Sequence, residues 1–254
     1  MSAAAKRELA KREPIKREWA KREWANPVKR APKVLAIVAA RDEAASVAAT
    51  VRALRGLAGV AEVAVVDDGS LDRTAEAGRS AGARVLRTPW ALGKGGALEG
   101  ALDRLPRADV YLFVDGDIGA TAAGIEPVLD AVVSGTADLA VAVLPAPVDG
   151  GFGVVKRVAA SVVRRVSGFS AQAPLSGQRA VTRECLGACR PLARGFGIET
   201  AMLADAARMG FRVMEVPVDV EHHGTGRTVA GFRHRAGQGV DIAAAAVPRL
   251  LGIR

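Results

Sequence analysis

Val110-Tyr-Leu-Phe-Val-Asp-Gly-Asp117 decides the fold. An unbroken apolar run of this length is too short to cross a bilayer, and it stops at two carboxylates around a glycine. A strand buried on both faces and ending at a polar sheet edge reads this way. Upstream the same grammar repeats. Val34 to Ala39 is a second apolar run, followed by apolar residues at helical spacing from Glu43 to Leu57. Glu62 to Val66 and Ala83 to Leu86 read as strands, with helices over Asp72 to Ala81 and Lys94 to Leu105 and the fourth strand at Asp109 to Val114. Strand and helix in alternation predict an α/β fold, a Rossmann-like, mostly parallel sheet flanked by helices in a single domain. Such sheets bind ligands at the carboxyl ends of their strands. The polar clusters fall there: Arg41-Asp42-Glu43, Asp67-Asp68-Gly69-Ser70 and Asp115-Gly116-Asp117.

Beyond residue 120 the reading places a strand at Leu139 to Leu144, a helix over Val154 to Val166, a helix over Glu199 to Met209 and a strand at Arg212 to Val216. Residues 33–120 and 121–254 are expected to form the two halves of the domain, the second building the other side of the site. Residues 1–32 stand apart as a basic, flexible arm. It repeats a five-residue unit, Lys6-Arg7-Glu8-Leu9-Ala10 onward to Ala25. Five residues advance a helix about 140° past a full turn, so Leu9, Ile15, Trp19 and Trp24 spiral instead of forming a stripe. Its tryptophans among lysines and arginines allow a peripheral contact of residues 6–25 with an anionic membrane.

Charge sorts the function classes. The chain of 254 residues carries a net charge of +9, and residues 1–33 hold eleven basic and four acidic side chains, or +7 of it. A nucleic-acid binder carries its excess on the folded domain, so nucleic acid is not an expected partner. No apolar run reaches the ~18–20 residues of a transmembrane helix and no signal-peptide core is present, so a cytoplasmic location is expected, with the arm allowing a peripheral place at the inner face of the cell membrane. Cys185 and Cys189, four residues apart without a second pair, read as reduced structural thiols.

Asp115 and Asp117 carry the chemistry. Two carboxylates one residue apart at a strand end can address one hard cation, Mg²⁺ or Mn²⁺, and Gly116 permits the close approach of a phosphate. Leu92-Gly-Lys-Gly-Gly-Ala-Leu98 fits neither a Walker A loop nor GxGxxG, yet it sets glycines and Lys94 at a helix start, where an anion can be received.

With these residues in place, Val65-Val-Asp-Asp-Gly-Ser-Leu-Asp-Arg-Thr74 resembles the VVDDGSxDxT signature of family 2 glycosyltransferases of GT-A fold. Asp115-Gly-Asp117 sits where their DxD motif belongs. Val34 to Glu43 is similar to their first strand and turn, with Asp42 in place of the usual Asn. The resemblance spans roughly residues 33–235, and it implies that 33–120 form the nucleotide-sugar half and 121–254 the acceptor half. It implies that Ala39 and Glu43 lie near the base and ribose, that Asp68 contacts the nucleoside with Ser70 beside it, and that Lys94 faces the diphosphate. Asp115 and Asp117 would hold ribose and metal, Asp117 thereby acting in catalysis. Pro174 to Arg183 resembles the acceptor-side loop of glucosyl-3-phosphoglycerate synthases, with Ser176, Gly177, Gln178 and Arg179 as substrate-binding candidates and Gln178-Arg179 departing from the family's pair. Phe196-Gly-Ile-Glu199 resembles the family's aromatic-Gly-x-Glu segment, which makes Glu199 the candidate base or acceptor-orienting group. His222 or His223 resembles the histidine that completes the metal site. Arg227 and Phe232-Arg-His-Arg235 can close over a diphosphate or form a solvated basic face.

The expected function is therefore metal-dependent transfer of a sugar from a nucleotide diphosphate sugar, UDP favoured over GDP, to a polyprenyl-phosphate or phosphoglycerate-type acceptor. A homodimer is admitted by this expectation. Two alternatives stay in view. A sugar nucleotidyltransferase should carry a glycine-rich, arginine-containing loop directly after the first strand, which Arg41-Asp42-Glu43 is not. A non-catalytic nucleotide-sugar-binding scaffold has no need of Asp68, Asp115, Asp117 and Glu199 together.

Overall fold

The computed structural model describes residues 31–145, 153–195, 197–220, 241 and 244–250. The chain separates into two units, Met1–Ala31 and Pro32–Arg254, and the second is described below. The five-residue repeat of the arm lies outside the described residues.

The elements follow the alternation of the sequence: β1 (Val34–Ala40), α1 (Val47–Arg55), β2 (Val60–Asp67), α2 (Thr74–Ser80), β3 (Arg84–Arg87), α3 (Lys94–Leu102) and β4 (Val110–Asp115). A 3₁₀ segment (Gly116–Ile125) and α4 (Glu126–Val133) lead to β5 (Leu139–Val143), α5 (Gly153–Ser167), β6 (Arg179–Thr182), α6 (Arg183–Cys189), α7 (Gly197–Arg208) and β7 (Val213–Pro217). Among the described residues no helix is long and apolar enough to cross a membrane.

All seven strands join one sheet in the order β3-β2-β1-β4-β6-β5-β7. Only β6 runs against its neighbours, antiparallel to both β4 and β5. This is the mostly parallel, helix-flanked α/β sheet expected from the sequence. Its strands explain their own composition. Along β1, Val34, Ala36, Val38 and Ala40 enter one core with Val47, Val51 and Leu54 of α1. Leu35 and Ile37 enter the core on the opposite face, with Leu98 of α3 and Met202 of α7. Alternate side chains of a strand face opposite ways, so a strand covered on both sides has to be apolar throughout.

Parallel register brings three strand ends level. Ala40 pairs with Asp67 of β2, and Ala39 pairs with Asp115 of β4. Because β1 is flanked by β2 on one side and β4 on the other, the chain reverses its direction of travel across the sheet there, and a crevice opens at the carboxyl edge.

The 3₁₀ segment and α4 fall where the sequence reading placed no element, and two further elements depart from it. Pro174 to Arg183 is expected to be an acceptor-side loop, but residues 179–182 form β6, inserted between β4 and β5. Four residues are too few for periodicity to register, and the strand exists because β4 and β5 each need a partner. Helix α2 begins at Thr74, two residues after the expected start at Asp72, with Arg73 at its N-cap. Asp72 still caps in a looser sense, its carboxylate accepting from the Thr74 N–H at 2.9 Å and from the Ala44 N–H at 3.0 Å.

Helix α1 grips the turn after β4. The buried hydroxyl of Thr50 donates to the Gly116 carbonyl at 2.9 Å and accepts from the Gly119 N–H at 2.8 Å. Thr50→Val keeps the shape and strands both backbone groups, so it should lower unfolding stability by ~1–3 kcal/mol. Urea denaturation of the variant checks this.

Candidate active site

Loops after β1, β2 and β3 build one wall of the crevice, and they are stitched to one another. Asp42 adopts a left-handed backbone, φ 57°, a conformation that Asn and Asp tolerate better than other residues with a side chain. Its N–H donates to Ser70 Oγ at 2.9 Å, and its carboxylate accepts from the Leu71 N–H at 2.7 Å. The Glu43 N–H donates to Thr74 Oγ1 at 2.7 Å. Ser70 is fully buried, and its own N–H donates to Asp67 Oδ1 at 2.8 Å. Thus Ser70 joins the β1 and β2 loops. Asp68 does the same for the next loop: one carboxylate oxygen accepts from Leu92 N–H at 2.6 Å, the other from Gly93 N–H at 2.9 Å. It fixes the entry to α3, and with it Lys94.

Lys94 is the centre of the site. Its Nζ lies 2.5 Å from Asp115 Oδ1 and 2.7 Å from Glu199 Oε1, with only 14% of the lysine side chain and 5% of the glutamate side chain exposed. Burial alone would lower the Lys94 ammonium; the two carboxylates outweigh it and hold the group above the ordinary lysine range, fully charged.

Asp115 is held on its other side by Gln178. Gln178 Nε2 donates to Asp115 Oδ2 at 3.2 Å, and Gln178 Oε1 accepts from the Asp115 N–H at 3.2 Å. Register explains the meeting: β6 runs antiparallel to β4 with Arg179 opposite Phe113, so the residues just before β6 lie beside the end of β4. Gly177 belongs to this approach. A Cβ there would overlap Asp115 Oδ2 and come within 2.6 Å of Lys94 Nζ. Arg179 is buried at 2% exposure, and its guanidinium donates inward, to the Glu199 carbonyl at 3.0 Å and to the Ser176 carbonyl. Burial pulls its pKa below the ordinary arginine value against the opposing pull of Glu199 and Asp115. Ser176 Oγ is buried without a hydrogen-bond partner among the described residues. A small cavity lined by Lys94, Gly177, Arg179 and Glu199, with Phe113 and Met202 as its apolar wall, lies here.

The glycines next to Lys94 and Asp115 serve packing. A Cβ at Gly116 would stand 2.9 Å from Ala40 Cβ, and one at Gly95 would overlap the Ala193 carbonyl. The approach that Gly116 permits is to β1, and Gly95 lets the segment before α7 dock on α3. That docking was not read from the sequence. Glu99 of α3 clamps it, accepting from Arg190 Nε at 3.0 Å and from the Leu192 N–H at 2.9 Å. A carboxylate at mid-helix in α3 was the available signal, and its partner lies 91 residues away.

Glu43, Asp72, Asp115 and Asp117 share one acidic neighbourhood. Burial pushes the Glu43 carboxyl up from its usual range; a hydrogen bond from Ser46 opposes this, and the charges of Asp117, Asp115 and Asp72 add to the rise. Hard carboxylate oxygens whose mutual repulsion a cation would relieve are a fitting donor set for Mg²⁺ or Mn²⁺, which are held through one or two carboxylates plus substrate phosphates. Among the described residues no three His, Cys, Asp or Glu side chains are grouped as a cation site on their own. His222, His223, Arg227, Phe196 and the Phe232 to Arg235 run lie outside the described residues. Ala39 ends one residue short of the β1 terminus, paired with Asp115 at the crevice floor.

Comparison with known proteins follows this geometry. Residues 35–186 match the family described as Glycosyl transferase family 2. The glycosyltransferase AglJ of Haloferax volcanii is 32% identical over 163 residues, 63% of this chain and 54% of its own. The chain thus spans about half the length of that curated relative. Among solved structures, glucosyl-3-phosphoglycerate synthase from Mycobacterium tuberculosis, in complex with Mn²⁺, UDP-glucose and phosphoglyceric acid, superposes with a TM-score of 0.72 at 22% identity, covering 89% of this chain and 86% of that one. A mycobacterial protein superposes with a TM-score of 0.72 at 27% identity, covering 86% of this chain and 75% of that one.

Two glycine substitutions separate a packed site from an open helix face. Gly177→Ala forces Asp115 or Lys94 aside and should cost ~1–3 kcal/mol. Gly187→Ala, in α6 with nothing within 4 Å of the new methyl, should stabilise by ~0.5–1 kcal/mol. Denaturant midpoints of the two variants, measured side by side, check the contrast.

Proposed function

The chain belongs to glycosyl transferase family 2, and on that footing we propose that it transfers a sugar from a uridine diphosphate sugar to a phosphorylated acceptor of phosphoglycerate or polyprenyl-phosphate type. The observation that carries this reading is the Lys94 bridge. One ammonium touches both Asp115, at the end of β4 in the nucleotide half, and Glu199, in the first turn of α7 in the acceptor half.

Asp115 and Asp117 are the residues that would hold Mg²⁺ or Mn²⁺, with His222 or His223 as a further ligand. When bound, the metal neutralises charge developing on the departing nucleoside diphosphate. The protein's own groups do the remaining work. Glu43 and Ala39 border the base and ribose, and Asp68 fixes the α3 entry so that Lys94 points at the diphosphate. Lys94 supplies positive charge where the leaving group gains negative charge, an electrostatic contribution to the transition state. Glu199 faces the acceptor side, where its carboxylate orients or deprotonates the attacking hydroxyl. Ser176 Oγ, buried and lacking a partner among the described residues, offers one hydrogen bond to a ligand oxygen. Gln178 keeps Asp115 in its rotamer, and Arg179 ties the β6 entry to α7.

The synthase solved with phosphoglyceric acid supports the soluble acceptor. It also occurs with Mg²⁺ and UDP, which supports a divalent metal and a uridine donor here.

Release of UDP from UDP-glucose, measured with 3-phosphoglycerate and with a polyprenyl phosphate as acceptors, tests the reading. Release should require Mn²⁺ or Mg²⁺ and one of these acceptors. Glu199→Gln should lower kcat by about 100-fold or more with the donor KM within about threefold, whereas Asp115→Asn should damage both. A folded wild-type protein that releases no UDP with either acceptor contradicts the proposal.

A further inference from the structure

Lys94 already satisfies the carboxylate that a metal would need. Asp115 Oδ1 pairs with the ammonium at 2.5 Å, and Asp115 Oδ2 accepts from Gln178 Nε2 at 3.2 Å. Gln178 Oε1 also accepts from the Asp115 N–H, so the carboxylate is held from both sides and is not at liberty to turn toward a second cation. The ammonium lies in a largely buried setting, 14% exposed. Two cations placed on one carboxylate in such a setting repel strongly, because the screening of bulk water is reduced. A second cation therefore has to compete with Lys94 for Asp115.

We propose that Lys94 is the resident counter-ion of Asp115 and Glu199 before donor arrives, and that the incoming metal and nucleotide diphosphate draw it off both carboxylates together. This rests on the proposed function and adds an order to it. A lysine can do this where an arginine could not. Its ammonium is a compact charge on a flexible four-carbon stem, and Gly177, whose Cβ would come within 2.6 Å of Nζ, leaves the ammonium room. An incoming diphosphate supplies the negative charge that replaces the carboxylates as Lys94's partner, while the metal replaces Lys94 on Asp115. Because the cation and the diphosphate arrive together with opposite charges, the net charge of the site changes little.

Glu199 is the beneficiary. Paired to Lys94 at 2.7 Å, its Oε1 is occupied by the ammonium. Once Lys94 moves to the diphosphate, that oxygen is released beside the cavity lined by Gly177 and Arg179 and can accept a hydrogen bond from a hydroxyl. Donor binding thus precedes a working Glu199, and Lys94 couples the two halves of the site.

Binding of Mn²⁺ without nucleotide, followed by the loss of the free-ion electron paramagnetic resonance signal, tests this in a way activity cannot. Wild type should bind Mn²⁺ weakly alone and much more tightly with UDP. Lys94→Met, with folding verified by circular dichroism, should bind Mn²⁺ alone at least about tenfold more tightly than wild type, and UDP should enhance that binding far less. Lys94→Gln is read in the same way should the methionine variant not fold. A lysine with a merely structural role would leave the metal affinity unchanged or weaken it on removal. Unchanged or weaker binding of Mn²⁺ alone by the folded variant, while the wild-type protein binds UDP with Mn²⁺, overturns the inference and leaves the proposed function standing. Tighter Mn²⁺ binding in the variant together with no UDP binding by wild type would uphold the counter-ion role and sink the proposed function instead.

Discussion

The ion pairs of Lys94 with Asp115 and Glu199, at 2.5 and 2.7 Å, set a demanding constraint on everything around them. A buried ammonium is costly unless its partners are fixed in place, and the ammonium and its two partners come from three different parts of the chain. Lys94 stands at the head of α3, which Asp68 anchors through the Leu92 and Gly93 amides. Asp115 closes β4 and is held by Gln178 from the approach to β6. Glu199 lies in the first turn of α7, whose preceding segment is docked on α3 through Glu99. Loosening any of these supports would leave a charge buried with fewer partners.

The sheet makes the convergence possible. Parallel pairing sets the ends of β1, β2 and β4 level, so their loops meet at one edge and can hydrogen-bond to one another. The single antiparallel strand then does what a parallel one could not. Because β6 enters the sheet at the edge where β4 leaves it, the residues before β6 arrive beside Asp115 from the opposite chain direction. One crevice thereby receives strand ends from the first half and a strand beginning from the second, and a donor and an acceptor can share it.

Much of this was legible in the sequence, and the limit has a physical cause. Strands buried on both faces announce themselves as unbroken apolar runs, as at Val34 to Ala39 and Val110 to Val114. The acidic clusters that follow them marked the edge of the sheet where the loops meet, and a family signature gave Asp68, Lys94, Asp115 and Glu199 their expected roles. Strand β6 was hidden because its four residues exist to pair with β4 and β5, a long-range demand that no local pattern encodes. The interactions that hold the site were hidden for the same reason. Thr50 on Gly116, Glu99 on Arg190 and Leu192, and Gln178 on Asp115 each join residues far apart in the chain. The sequence also left the packing work of its glycines open. Gly116 was expected to permit the close approach of a phosphate and the glycines beside Lys94 to help receive an anion; in the structure Ala40 packs against Gly116 and the Ala193 carbonyl against Gly95. Ser70 and Asp68 were expected to touch a nucleoside, and in the structure they join the loops that would surround it.

The central claim is that this edge of the sheet receives a nucleoside diphosphate together with a divalent cation. Calorimetric titration of UDP and GDP into the wild-type protein, each with and without Mn²⁺, addresses it most directly. The account predicts micromolar binding of UDP that depends on Mn²⁺ and disappears when Asp115 and Asp117 are both replaced by alanine in a folded protein. Failure of both nucleotides to bind, or binding indifferent to the metal and to the two aspartates, would contradict it.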